Sequence, residues 1–142
     1  MEIRNKKAFF NYEVGKSIEA GIVLNGSEIK SVRKGSVDLG DAFVTFKGEE
    51  AFVTNMFIAK YKEANQFNHD ERRARKLLLH KSEIRKLIKE KTLTQISVIP
   101  IRMYIKDNKV KLEIAVCKGK KLYDKREAIK KRDLERREGV RF

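Results

Sequence analysis

The sequence predicts a mainly β fold: a small antiparallel sheet closed into a barrel, with two or three short helices inserted and a basic tail at the C-terminal end. Three observations carry this. Five or six short runs of alternating or β-branched residues are separated by turn signals, and only two stretches have helical spacing. After Cys117 the apolar alternation stops while charge continues. Few short strands leave many edges, and closure into a barrel removes them.

Phe9 to Leu24 mixes apolar runs with Gly15 and Gly21, and Ile22-Val23-Leu24 reads as a buried strand end. Asn25-Gly26-Ser27-Glu28 reads as a helix start. Asn25 can accept from the amide three residues on, and Glu28 stands where a capping-box carboxylate reaches back. Ile29 and Val32 then face the core, Lys30, Arg33 and Lys34 face outward, and Gly35 supplies a left-handed stop. Ala42–Phe46 and Ala51–Thr54 form a strand pair around the turn Lys47-Gly48-Glu49-Glu50. Glu63 to Asp70 is polar and reads as a loop. Leu77-Leu78-Leu79 cannot all face one side of any element, so at least one leucine must lie toward the surface or a partner. Ser82 reads as the N-cap of a second helix carrying Ile84, Leu87 and Ile88. Thr94 to Ile105 reads as a strand with an edge or bulge at Pro100. Asp107-Asn108 is a turn, and Val110, Leu112, Ile114 and Val116 alternate as a half-exposed strand.

A chain of 142 residues makes one folded domain by length. Its organisation reads as a body over residues 1–117 and a tail over residues 118–142. The formal charge of +14 is unevenly placed. His69 to Lys91 carries 9 basic against 4 acidic residues, and Lys118 to Phe142 carries 11 against 5. Two cationic segments on a nearly neutral body call for anionic partners. Cys117 is the only cysteine, which excludes an intrachain disulfide and fits a reducing compartment. The opening residues have no apolar run behind them, and no stretch reaches 18 consecutive apolar residues. The reading is a cytoplasmic protein with no membrane partner, monomeric when free.

No Gly-rich phosphate loop, Cys/His metal spacing or Ser/His/Asp set is present, so no metal or other cofactor and no catalytic residue is expected. His69 and His80 read as packing or contact residues. Asp38, Asp41, Glu49 and Glu50 surround strands as turn and edge residues do, leaving a Mg²⁺-dependent RNA hydrolase as a weak rival. Arg72, Arg73, Arg75 and Lys76 precede the leucine triplet. Phosphates take such cations, and unstacked bases take apolar side chains, so this run suits folded RNA. The tail has acid-before-base pairs, Glu127 with Lys131 and Asp133 with Arg137, but no continuous apolar stripe. It should be disordered alone and order on a polyanion.

Five runs in order carry a resemblance: Asn5-Lys6-Lys7-Ala8, Glu19-Ala20-Gly21-Ile22, Gly26 to Arg33, Arg75-Lys76-Leu77-Leu78-Leu79-His80-Lys81, and Gly119-Lys120-Lys121-Leu122-Tyr123-Asp124-Lys125-Arg126. The chain resembles the bacterial SsrA-binding protein (small protein B) family. That resemblance implies an OB-like barrel gripping the tRNA-like domain of transfer-messenger RNA, delivered to stalled ribosomes in trans-translation. It implies an RNA surface of Asn5, Lys6, Lys7, Glu19, Lys30, Arg33, Leu78 and His80, beside Arg72, Arg73, Arg75 and Lys76. It also implies a tail, helical on the ribosome, that lies in the vacant mRNA path near the small-subunit decoding centre. Its ribosome-facing residues would be Lys120, Lys121, Tyr123, Asp124, Lys125, Arg126, Lys130, Lys131 and Arg132. Tyr123 stands where relatives often have histidine, keeping a planar ring without a titratable imidazole. The second rival is a structural rRNA-binding protein.

Overall fold

The computed structural model describes residues 2–62 and 68–119. In chain order it contains β1 (Glu2–Arg4), α1 (Lys6–Asn11), β2 (Tyr12–Ile22), α2 (Gly26–Arg33), β3 (Val37–Asp38), β4 (Phe43–Lys47), β5 (Glu50–Thr54), β6 (Phe57–Ile58), β7 (Arg75–Leu78), α3 (Lys81–Leu93), β8 (Ser97–Lys106) and β9 (Lys109–Gly119). Seven strands form one antiparallel sheet in the order β1-β8-β9-β2-β7-β5-β4, and β3 pairs with β6. The mainly β, antiparallel reading holds.

The closed barrel is not found. Among the described residues, β1 and β4 remain the edges of the large sheet. Strand β4 lies alongside the first half of β8, but a cleft of about 360 Å³ separates them. It is lined by Ala42, Phe43 and Val44 from one side and Ser97, Val98 and Ile99 from the other. Lys7, Ala8 and Asn11 of α1 line the same cleft, so the helix covers a seam that backbone pairing leaves unzipped. Pro100, at the end of that half of β8, has no N–H to offer a ladder.

Local chemistry accounts for most elements. The β4–β5 hairpin turns at Gly48, with φ +61°, between the paired residues Lys47 and Glu50. Asp107 and Asn108 both have positive φ in the two-residue turn joining β8 to β9. Helix α2 has Asn25 as N-cap, its amide donating to Glu28 Oε1 at 2.8 Å, and stops at Gly35 with φ +74°. Helix α3 starts earlier than the serine signal indicates. His80 is its N-cap, and the His80 amide donates to Glu83 Oε1 at 3.0 Å. Position 83 therefore serves as N3, the place a capping carboxylate requires.

Four other differences stand out. Strand β2 ends at Ile22 and Val23 is exposed, although its amide still bonds the Lys76 carbonyl of β7 as the chain turns toward α2. Ile29 is only half-buried, while Val32 is fully buried. Helix α1 is an added element, capped by Asn5. Strand β9 runs on to Gly119, where Lys118 and Gly119 pair with Glu13 and Tyr12. Backbone pairing needs no apolar side chains, so the ladder outlasts the hydrophobic alternation. Part of the Glu63–Asp70 loop and every tail residue from Lys120 lie outside the described residues.

The main core lies on one face of the sheet, with Val32, Leu39, Val44, Val53, Met56, Ile58, Leu77, Ile84, Leu87, Leu112 and Ile114 among its residues. A smaller cluster of Ala8, Ile99, Ile101, Ala115 and Cys117 sits under α1. Strand β8 serves both. Its register shifts between Pro100 and Arg102, so Ile99 and Ile101 point to the small cluster while Val98 and Met103 point to the main one. That bulge also turns Arg102 and Tyr104 to the outer face.

Candidate nucleic-acid interface

The outer face of β2, β7, β8 and β9 brings one part of the expected site together. Register aligns Glu2, Tyr104, Lys111, Gly21 and Leu78 in one row across the sheet. Two residues along each strand, Arg4, Arg102, Glu113 and Glu19 form a second row. Glu19, Lys76, Leu78 and His80 share an open groove of about 680 Å³, whose lining also includes Gly21, Lys81 and Lys111. Among the three leucines, Leu77 is buried, Leu79 half-buried and Leu78 55% exposed. The outward leucine expected of the triplet is thus Leu78.

Glu19 is held from the side of β8. The Tyr104 hydroxyl donates to Glu19 Oε2, and Lys106 Nζ lies 3.8 Å from the same oxygen. That hydroxyl bond, helped by Lys106, Lys111 and Arg102, holds the Glu19 carboxyl below the usual range. Partial burial and the bond to Glu19 push Tyr104 up to about 12, so it stays a donor. Arg102 stacks 4.5 Å from the Tyr104 ring centroid and donates to Glu113 at 3.3 Å. Sequence reasoning passed over Tyr104, Lys106 and Lys111. The signal was present in the polar positions of β8 and β9, whose alternation puts them on the face opposite the core.

Other expected residues lie elsewhere. Lys6 and Lys7 project from α1, with Lys7 Nζ 2.5 Å from Asp41 Oδ1. Arg72 belongs to this side: its guanidinium donates to the Asn55 carbonyl at 3.2 Å and stacks over Phe57. Lys30 and Arg33 are exposed on α2, where Lys30 and Lys34 both lie over the Tyr61 ring, at 5.4 and 4.7 Å.

Three expected contacts are turned inward. Asn5 is buried: Nδ2 donates to the Leu39 and Pro100 carbonyls, and Oδ1 accepts from the Ala8 amide. Every polar atom of that side chain is engaged within the fold. Arg75 is completely buried and bonds Glu28 together with the carbonyls of Met56, Asp70 and Glu71. Arg73 grips the same buried Glu28 with two nitrogens, the shorter contact being 2.5 Å. Two of the four cations before the leucine triplet therefore neutralise a buried carboxylate, which a buried charge requires. Burial alone would raise the Glu28 carboxyl, but bonds from Arg73, the Asn25 amide and Arg75 outweigh it and hold it low.

His69 is a packing residue: it is buried, with Nε2 2.9 Å from the Ile58 carbonyl and Nδ1 2.8 Å from Ser27 Oγ. The four carboxylates of the hydrolase rival are engaged separately. Asp38 accepts from the Gly40 amide, Asp41 pairs with Lys7, Glu49 with Arg85, and Glu50 with Lys76. Among the described residues, no group of three His, Cys, Asp or Glu could hold a metal ion, and no helix is long and apolar enough to cross a membrane. The tail residues Lys120, Lys121, Tyr123, Asp124, Lys125, Arg126, Lys130, Lys131 and Arg132 lie outside the described residues.

Comparison with known proteins places the chain in a family. The family model described as "SmpB protein" matches residues 2–141. The SsrA-binding protein of Persephonella marina is 56% identical over 135 residues, covering 93% of this chain and 87% of the relative. That of Mycoplasma mycoides subsp. mycoides is 50% identical, covering 96% and 93%. A solved chain from a structure described as "tmRNA-SmpB: a journey to the center of the bacterial ribosome" superposes with a TM-score of 0.74. It is 36% identical, with 90% of this chain and 94% of that chain covered. With the family model matched over nearly its full length, this chain belongs to the SmpB protein family.

Proposed function

We propose that this chain is a non-enzymatic RNA-binding adaptor of trans-translation. It binds the tRNA-like domain of transfer-messenger RNA and delivers it to stalled ribosomes. Membership of the family, relatives named for SsrA binding and a solved neighbour described with tmRNA and the bacterial ribosome all support this reading. The single observation that carries it to particular residues is the outer-face groove, where Glu19, Leu78 and His80 converge although β2 and β7 are far apart in sequence.

The groove combines an exposed apolar surface with lysines and carboxylates: Lys76 pairs with Glu50, Lys81 with Glu49, and Glu83 also lines it. Lys111, together with Lys76 and Lys81 on exchanging their exposed carboxylate partners, attracts phosphates, Leu78 offers a face to an unstacked base, and Glu19 accepts a directed bond. Lys6, Lys7 and Arg72 on one flank, and Lys30 and Arg33 on α2, extend the cationic surface and add salt-sensitive affinity. Asn5, Arg73 and Arg75 act through the fold, by holding the elements that carry these contacts. The body is read as OB-like with its β4–β8 seam left open, and the chain as a cytoplasmic protein that is monomeric when free. Lys118 and Gly119 belong to β9, and the residues from Lys120 onward are the basic tail that occupies the vacant mRNA path, with Tyr123 to Arg126 nearest the decoding centre.

Two measurements test this. In a filter-binding competition, transfer-messenger RNA should displace the labelled tRNA-like domain far better than bulk rRNA; equal displacement favours the structural rRNA-binding rival. In a reconstituted peptide-tagging reaction on a truncated message, removal of the tail from Lys120 onward should abolish tagging while RNA binding persists. Tagging at the full-length rate would contradict the codon-substitute role.

A further inference from the structure

Four carboxylates line the groove: Glu49 and Glu50 face lysines and Glu83 accepts from the His80 amide, while the surroundings of Glu19 set it apart. Oε2 accepts from the Tyr104 hydroxyl, while Oε1 has no hydrogen-bond partner among the described residues. The carboxyl is held below the usual range, so near neutral pH it is ionised and can only accept. Tyr104 fixes its direction. Two residues along β2, roughly 7 Å by strand rise, Gly21 has no side chain, and the Leu78 side chain lies over it. Leu78 stands directly opposite on β7, and Lys111 stands opposite on β9. Leu78 is 55% exposed, and the Lys111 charge helps hold the Glu19 carboxyl low.

An acceptor-only group beside an apolar face discriminates among bases. Guanine presents two adjacent donors, N1–H and the 2-amino group, on its Watson–Crick edge. Adenine and cytosine present one donor beside an acceptor, and uracil one donor between two acceptors. Guanine alone matches a carboxylate without setting a lone pair against it. In a duplex that edge is occupied, so the base must be unpaired, which is where RNA is read by its edges. We propose that this groove takes an unpaired guanine, with its Watson–Crick edge on Glu19, its ring face on Leu78 and a neighbouring phosphate near Lys111. The proposal deepens the RNA-binding reading above and rests on it.

The test titrates the 5′-monophosphates of guanosine, inosine, adenosine, cytidine and uridine into the full-length protein. The amide NMR signals of Gly21, Leu78 and Lys111 report occupancy. The guanosine nucleotide should bind about tenfold more tightly than those of adenosine, cytidine and uridine, the discrimination expected of one good bidentate pair. Inosine, which lacks the 2-amino donor, should fall between. Glu19→Gln offers one donor beside one acceptor, so it should move the preference to adenosine or cytidine. Equal binding of all five, no shift at these amides, or a Glu19→Gln protein that still prefers guanosine would overturn the proposal. Leu78→Ala, measured on the tRNA-like RNA with circular dichroism as the check on folding, separates the two levels. Lost RNA affinity without base preference removes only the guanine assignment, and unchanged RNA affinity removes the groove as well.

Discussion

Gly21 on β2 lies directly opposite Leu78 on β7, and a Cβ at position 21 would stand 3.1 Å from Leu78 Cβ and 3.3 Å from Leu78 Cδ1. Both distances are tighter than ordinary contact, so the glycine is what lets the leucine lie across the groove. Leu78 is exposed and can swing away, so Gly21→Ala should leave the fold intact. Its cost in stability should stay within about 1 kcal/mol, as for surface changes generally. Affinity for the tRNA-like RNA should fall several-fold because the leucine face is redirected. Thermal melting and fluorescence anisotropy on the same sample separate the two effects.

Tyr104 acts on RNA through Glu19. Tyr104→Phe keeps the ring over which Arg102 stacks and removes only the hydroxyl that donates to the carboxylate. It should weaken RNA binding by about 1 kcal/mol, the net worth of a typical hydrogen bond. In a double-mutant cycle with Glu19→Ala the second change should add almost nothing, because the bond is already gone. Additive losses would mean that Tyr104 touches RNA independently.

Glu28 and Arg75, both fully buried, form an ion triad with the partly exposed Arg73, and its removal should be felt in stability. Glu28→Gln leaves two guanidinium groups without their countercharge and should cost about 3–5 kcal/mol. The acid limb follows from the sign of the shift. The folded carboxyl is held low, so its contribution is complete above the unfolded value of about 4.3 and is lost as pH falls through the folded value. Urea unfolding between pH 3 and 7 should show a steeper acid loss for the native sequence than for Glu28→Gln.

Salt dependence sorts surface cations from buried ones. Lys76→Ala and Lys111→Ala should each lower the slope of log K against log salt by about 0.7–0.9, the worth of one phosphate contact. Arg75→Met should destabilise the body yet leave that slope unchanged in the protein that remains folded, since the guanidinium is fully buried.

The legible part of the fold was the part set by local rules. The β4–β5 hairpin, the Asp107-Asn108 turn, the α2 cap at Asn25 and its stop at Gly35 follow from residue types acting over a few positions. The outward leucine was legible too, since no element can bury three in a row. Closure of the sheet was not, because it depends on how α1 and Pro100 meet the β4–β8 seam. Nor was the inward turn of Arg73 and Arg75. A run of cations reads the same whether it faces solvent or a buried carboxylate 45 or more residues away, and only tertiary structure brings Glu28 to them. The polar alternation of β8 puts Tyr104 on the outer face, but its pairing with Glu19, 85 residues away, is legible only in the fold.

The groove as the RNA-gripping surface is tested most directly by the affinity of Leu78→Ala for the fluorescently labelled tRNA-like domain, at physiological salt and with circular dichroism recorded in parallel. Leu78 belongs to no buried cluster, so the variant should fold and melt as the native protein does, while its affinity should drop by about tenfold, near the low end of the worth of burying a leucine side chain. Native affinity in a natively folded Leu78→Ala protein would place the RNA on another face and contradict the account.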